Sequence, residues 1–169
     1  PLKMHVFNRA RLIKNSKNRI PYGVDLIQKY KRESWIVFTE NKKQAKEFNK
    51  IINTKGFKSA LYNTDLDSTE RLENLNKFKK ADLNVLVTCT ALDEGFDMPE
   101  ADGALILSAS SSKRQRVQRM GRVLRITENK PNALIVTVYS SKTEFDKLME
   151  EAKRYHKEGV PVSWKRQDR

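Results

Sequence analysis

The residues best suited to chemistry lie between Lys113 and Arg125, in the run KRQRVQRMGRVLR. A helix advances about 100° per residue. On that projection Arg114, Gln118, Gly121, Arg122 and Arg125 share one stripe about 100° wide, whereas Val117, Met120 and Leu124 form a separate apolar stripe that can face a sheet. Clustered guanidiniums repel one another unless an anion lies between them, and arginine forks onto phosphate oxygens. Gly121 removes bulk from the middle of the stripe and lets another surface come close. In a helix it costs about 1 kcal/mol of propensity relative to alanine, which points to a local purpose. Two readings fit this spacing: a defined phosphate site, or a basic face that attracts nucleic acid without specificity.

A second cluster precedes it. Thr88-Cys89-Thr90 follows the apolar run Val85–Val87 directly. Hydroxyls and backbone N–H groups at a strand end can hold a phosphate, or they can cap the next turn. Then comes Asp93-Glu94-Gly95-Phe96-Asp97-Met98-Pro99. Gly95 permits a close backbone approach, and Asp97 can accept hydrogen bonds from a ribose. An acidic turn closed by Pro99 explains the same residues.

The elements that must position these clusters are read from hydrophobic pattern. Trp35–Thr39, Ser59–Tyr62, Val85–Val87, Ala104–Leu107 and Ala133–Val138 are short apolar runs, the mark of strands covered on both faces. Amphipathic helices largely alternate with them. Val24, Leu26, Ile27 and Tyr30 predict a short one after Pro21 and Gly23. Asn41 can cap a helix carrying Ala45, Phe48, Ile51 and Ile52, closed by Gly56. Asp67 and Glu70 resemble a capping box before Leu72, Leu75 and Phe78. Ser111 or Ser112 can cap the arginine helix, and Phe145, Leu148, Met149 and Ala152 line a last helix. The expected fold is α/β, a parallel sheet with helices on both faces. Ligands of such sheets sit beyond the carboxyl ends of the strands, which puts Thr39 and the loops after Val87 and Leu107 on one rim.

The chain has 169 residues, enough for one domain with a core, and a net charge of +13 that favours a polyanionic partner. No apolar run approaches the roughly 20 residues of a membrane span, and no signal-like apolar block begins the chain. Cys89 is the single cysteine, so an internal disulfide and a cysteine-rich metal site are excluded, and no metal ligand set is expected. A reducing setting, cytoplasmic or nucleoid-associated and not secreted, is expected. The sequence begins mid-pattern without Met, as a fragment of a longer protein would. The expected division is a basic linker and helix over 1–32, the sheet domain over 33–156, and a basic tail over 157–169.

Gln118-Arg-Met-Gly121-Arg122-Val-Leu-Arg125 resembles the motif VI pattern QRxGRxxR of superfamily 2 helicases. Thr88 to Pro99 is similar to their motif V, and Trp35 to Thr39 looks like motif IV, in the family's order. The resemblance covers about 33–140 and implies a RecA-like helicase C-terminal domain. The wording around motif VI is nearer to DEAH-like DNA translocases than to DEAD-box proteins, which implies DNA rather than RNA as partner.

Roles follow from the resemblance for particular positions. Arg122 and Arg125 match the arginines that reach the γ-phosphate of ATP, Arg125 being the arginine finger. Gly95, Asp97 and Gln118 match nucleotide-contacting positions, Asp97 at the ribose. Cys89, standing where threonine is common, and Thr90 match the pair on the nucleic-acid backbone, and Thr39 matches a position near the bound strand. No G-x-x-x-x-G-K-[ST] loop and no Asp-Glu-x-Asp or Asp-Glu-x-His run is present. ATP with Mg²⁺ would therefore be bound mainly by a first RecA-like domain of the same parent chain, and the isolated chain is expected to lack ATPase activity. The alternative is a non-enzymatic nucleic-acid-binding module with a RecA-like fold.

Overall fold

The computed structural model describes residues 18–89, 99–107, 134–157, 159 and 161–164. In chain order the elements are α1 (Arg19–Tyr30), β1 (Trp35–Thr39), α2 (Lys42–Thr54), β2 (Ser59–Tyr62), α3 (Ser68–Lys79), β3 (Val85–Cys89), β4 (Gly103–Ile106), β5 (Leu134–Thr137) and α4 (Lys142–Lys157). The strands make one 5-stranded sheet in the order β2-β3-β1-β4-β5, and every pairing is parallel. The expected α/β architecture is therefore observed.

Side chains of a strand alternate between faces, and both faces of this sheet are covered. Trp35 and Val37 of β1 join Val85, Val87, Leu105 and Leu107 in one core, which α1 closes with Ile20, Val24 and Ile27 and α2 with Ala45, Phe48 and Ile52. Ile36, Phe38, Leu86, Ala104 and Ile106 face the other way, beneath Leu75 and Phe78 of α3. This two-sided burial is why the strands read as continuous apolar runs rather than alternating ones. Fully burying each large aliphatic side chain contributes about 1.5–3 kcal/mol.

Local signals act as expected at two helix starts. Asn41 Oδ1 accepts from the Gln44 N–H at 2.9 Å, and Asp67 Oδ1 accepts from the Glu70 N–H at 2.8 Å. Gly56 follows α2 at φ +87, a left-handed conformation that favours glycine.

Three expectations need correction. The helix assigned to a linker over 1–32 is a layer of the fold: Val24 is 1% exposed and Ile27 0%. The domain body thus includes α1, whose turn-spaced apolar residues had no visible partner in a segment so rich in basic residues. Leu72, placed in the α3 core stripe, is 58% exposed. It lies about 120° round the helix from Phe78, whereas Leu75 and Phe78 are the α3 residues buried against the sheet. In α4, Ala152 is buried, but Phe145, Leu148 and Met149 are half-covered, while Glu144 and Glu151 are buried instead. That helix flanks the β5 side, where the strand itself is only half-buried.

Close packing at the sheet centre depends on an absent side chain. Gly103 stands opposite Trp35 in the β1–β4 register, and a Cβ there would lie 2.6–2.8 Å from the Trp35 ring carbons. Trp35 is fully buried, so the indole has nowhere to retreat. Gly103→Ala is expected to lower stability by about 1–3 kcal/mol, read as an earlier urea midpoint at unchanged slope; an unchanged midpoint would mean the indole can shift.

Candidate nucleotide and nucleic-acid rim

The parallel strands all end on one edge, and the chain turns in opposite directions there. After β1 it passes through α2 to β2 on one side, and after β4 it goes on to β5 on the other. Neighbouring strands with diverging exits open a crevice at their carboxyl ends, the usual ligand position in such sheets. The exit of β4 leads directly into the segment holding Gln118, Arg122 and Arg125. These three residues, with Thr90, Gly95 and Asp97, lie outside the described residues.

Thr39 and Cys89 are described, and the sheet register brings them side by side at the ends of β1 and β3. Both are buried, at 1% and 4% exposure. The Thr39 hydroxyl, with one proton to donate, lies 3.0 Å from the Thr88 carbonyl and 3.3 Å from that of Asn41. It ties two strand ends together and sets where the following loops depart. The Cys89 thiol is free and covered.

The exposed polar groups on this rim are different residues. Lys42, in the first turn of α2, and Lys46, one turn on, both pair with Asp65 in the loop after β2, the Lys46 Nζ–Asp65 Oδ2 distance being 3.1 Å. The hydrogen bond from Lys42, then that from Lys46, holds the Asp65 carboxyl below its ordinary value of 3.8. A carboxyl lowered on folding adds stability above its unfolded pKa and loses it as pH falls through the lower folded value. The pair is solvent-exposed, so its worth is small. A sequence signal existed: Lys42 and Lys43 open a helix with no acidic residue in its first turn, where the helix dipole disfavours cations.

Arg19 was the larger omission. It is 1% exposed. Its Nη1 donates to the carbonyls of Leu107 at 2.7 Å and Val138 at 3.3 Å, the residues just past β4 and β5. Its Nη2 donates to Ser140 Oγ at 2.6 Å and Glu144 Oε2 at 2.5 Å. Glu144 Oε2 also accepts from the Ser140 N–H at 2.9 Å. Gly23, one turn along α1, permits the approach, since a Cβ there would lie 2.6 Å from Leu107 Cδ2. The clue in the sequence was positional: Arg19 projects into the same stripe as Gly23, Leu26 and Ile27, a charge within an apolar face.

The family model of the helicase conserved C-terminal domain matches residues 18–127. The chain belongs to the helicase C-terminal domain family. This helicase domain is 36% identical over 129 residues to the DNA 3'-5' translocase XPB2 of Sulfurisphaera tokodaii, covering 76% of the chain and 28% of that protein. It is 31% identical over 125 residues to UvrABC system protein B of Fusobacterium nucleatum, covering 70% of the chain and 19% of that protein. The helicase domain therefore spans under a third of the curated relatives it matches. It shares its fold with the C-terminal domain of the DEAD-box protein Dbp5, with a TM-score of 0.73 and 21% identity over 86% of this chain and 82% of that one. No helix among the described residues is long and apolar enough to cross a membrane.

Removing one partner of a buried ion pair leaves an uncompensated charge. Glu144→Gln, nearly isosteric, is expected to cost about 3–5 kcal/mol in urea denaturation. The double substitution Arg19→Met with Glu144→Leu should cost less than that single change. A double variant as unstable as the single one would show that the charge pair is not what the site depends on.

Proposed function

We propose that this chain is the second motor domain of an ATP-dependent superfamily 2 helicase or nucleic-acid translocase. The observation that carries the reading is the match of Gln118–Arg125 to the helicase motif VI pattern, on the segment that follows β4 in sequence, β4 being the neighbour of β1 in the sheet. A phosphate-directed arginine set belongs at such a position. Membership of the helicase C-terminal family supports it.

In this reading ATP with Mg²⁺ supplies the phosphoryl group and is held mainly by a first RecA-like domain of the same parent chain. The contribution of this chain in that division is cationic and hydrogen-bonding, through Arg122, Arg125 and Gln118. Arg122 and Arg125 meet the γ-phosphate across the cleft, with Arg125 stabilising the charge that develops on transfer. Gln118 and Gly95 line the nucleotide, and Asp97 accepts from its ribose.

Nucleic acid crosses the same rim, held by Thr90 and the loop after Cys89. Thr39 and Cys89 act from beneath by fixing the strand ends. DNA is the proposed partner, in keeping with the similarity to a DNA translocase, and RNA is the competing substrate. The proposed setting is the cytoplasm or the nucleoid.

The parent protein is the object to test, with DNA and RNA as separate stimulants of ATP hydrolysis. Arg125→Ala is expected to lower kcat about 10³-fold or more while leaving nucleic-acid affinity nearly unchanged. The 169-residue chain alone should bind nucleic acid with strong salt sensitivity and no sequence preference. It should also show no appreciable ATPase activity. Turnover by the isolated chain that disappears in Arg125→Ala would overturn the division of labour, and affinity that stays flat from low to high salt would overturn the nucleic-acid track.

A further inference from the structure

The segment after α4 carries a feature that the motor reading does not use. Among the described residues, three large hydrophobic side chains are exposed, and two of them, Val162 at 39% and Trp164 at 40%, lie in this short segment. Gly159 sits at φ +79 just past α4, and its N–H donates to the His156 carbonyl at 3.1 Å. Such a helix end, with Pro161 soon after, turns the chain away from the helix axis. Trp164 reappears at the opposite end of α4. Its ring centroid lies 5.1 Å from Phe145, in the first turn of that helix, and 6.4 Å from Tyr139. Tyr139 and Phe145 are themselves 5.2 Å apart.

This three-ring cluster stands on the rim already described, because Tyr139 follows β5 by two residues. The exit of β5 is two strand spacings from that of β1, about 10 Å along the edge. Trp164 meets both neighbours at steep interplanar angles, 74° to Phe145 and 71° to Tyr139. Neither neighbour is stacked parallel on the indole, and Trp164 stays 40% exposed. A fixed, part-exposed indole of this kind offers a flat surface.

We propose that Trp164, braced by Tyr139 and Phe145, is a stacking platform for a base of single-stranded nucleic acid bound along the strand-end rim. The proposal rests on the nucleic-acid track assigned above and adds a residue to it. Charge favours this occupant: Lys165, Arg166 and Arg169 follow Trp164 in sequence, and the chain carries +13 overall. Aromatic rings set among cations are the means by which proteins hold single strands without reading sequence. Size argues against a protein partner, since a stable interface covers about 800 Å² on each side and one tryptophan supplies at most about 250 Å².

The chain has two tryptophans, and Trp35 is fully buried, so a fluorescence change on titration reports Trp164 while Trp35 reports the core. A deoxythymidine oligonucleotide is the probe, its binding followed separately by the anisotropy of a labelled strand. Quenching of Trp164 is expected, saturating with the anisotropy. Trp164→Ala should weaken binding about 5- to 100-fold with the salt slope retained, and Trp164→Phe should stay within about threefold of the parent chain. An abasic strand of equal length should bind more weakly and leave Trp164 unquenched. Binding by anisotropy with no quenching and no effect of Trp164→Ala would overturn the platform and leave the track intact. Absence of any binding would overturn both. A dimer that forms without nucleic acid and is lost in Trp164→Ala would overturn the platform in favour of a second copy of the chain.

Discussion

A parallel sheet ends all its strands on one edge, and the last carbonyls of each have no strand partner above them. An unpaired buried carbonyl is costly, so a fold of this type needs a donor at that edge wherever water is excluded. Here the donor is one guanidinium. Arg19 enters from the first residue of α1 and spans the carbonyls just past β4 and β5. Burying that charge would be prohibitive without a counter-ion, and Glu144 supplies one from the first turn of α4. The arrangement joins the start of the described chain to its last strand and last helix through a single side chain. It also fixes Leu107, the residue from which the arginine-bearing segment departs.

The same edge explains why the residues matched to nucleic-acid contacts are buried. Thr39 and Cys89 are still within paired strands, adjacent in register, and their side chains point into a layer closed by helices. What such residues can control is the height and direction at which a loop leaves. Contact with a polyanion falls to groups beyond the strand ends. Lys42 and Lys46 are held there by Asp65, half in water. Their mutual repulsion, and that of Lys42 with the helix dipole, is offset by the Asp65 carboxylate.

Hydrophobic pattern made the strands and most helix stripes legible, because burial on both faces leaves runs such as Trp35–Thr39 with no polar interruption. The caps at Asn41 and Asp67 were legible because a side-chain acceptor and a free N–H three residues on are local facts. Arg19 was not legible as a core residue, since its partners lie 88 to 125 residues away in sequence. Leu72 misled for the converse reason: periodicity tells which side of a helix is apolar, not where the sheet beneath it stops. The arginine stripe and the Gly95–Asp97 loop were read from type and spacing, and their placement lies outside the described residues.

A helical projection of the sequence puts Arg114, Arg122 and Arg125 on one stripe, and guanidiniums so placed repel one another unless an anion lies between them. In the proposed motor the relief comes from a phosphate held on another domain. That gives the arrangement a physical consequence beyond catalysis. In that reading the nucleotide is the anion that would make a closed pair of domains more favourable than an open one. Departure of the cleaved phosphate would remove part of that charge and so weaken the closure. A nucleic acid on the proposed track would then be gripped by a surface whose position depends on the nucleotide. Within the chain, Arg19 Nη1 donates to both the Leu107 carbonyl, from which the arginine-bearing segment departs in sequence, and the Val138 carbonyl past β5, and so ties those two strand ends to each other.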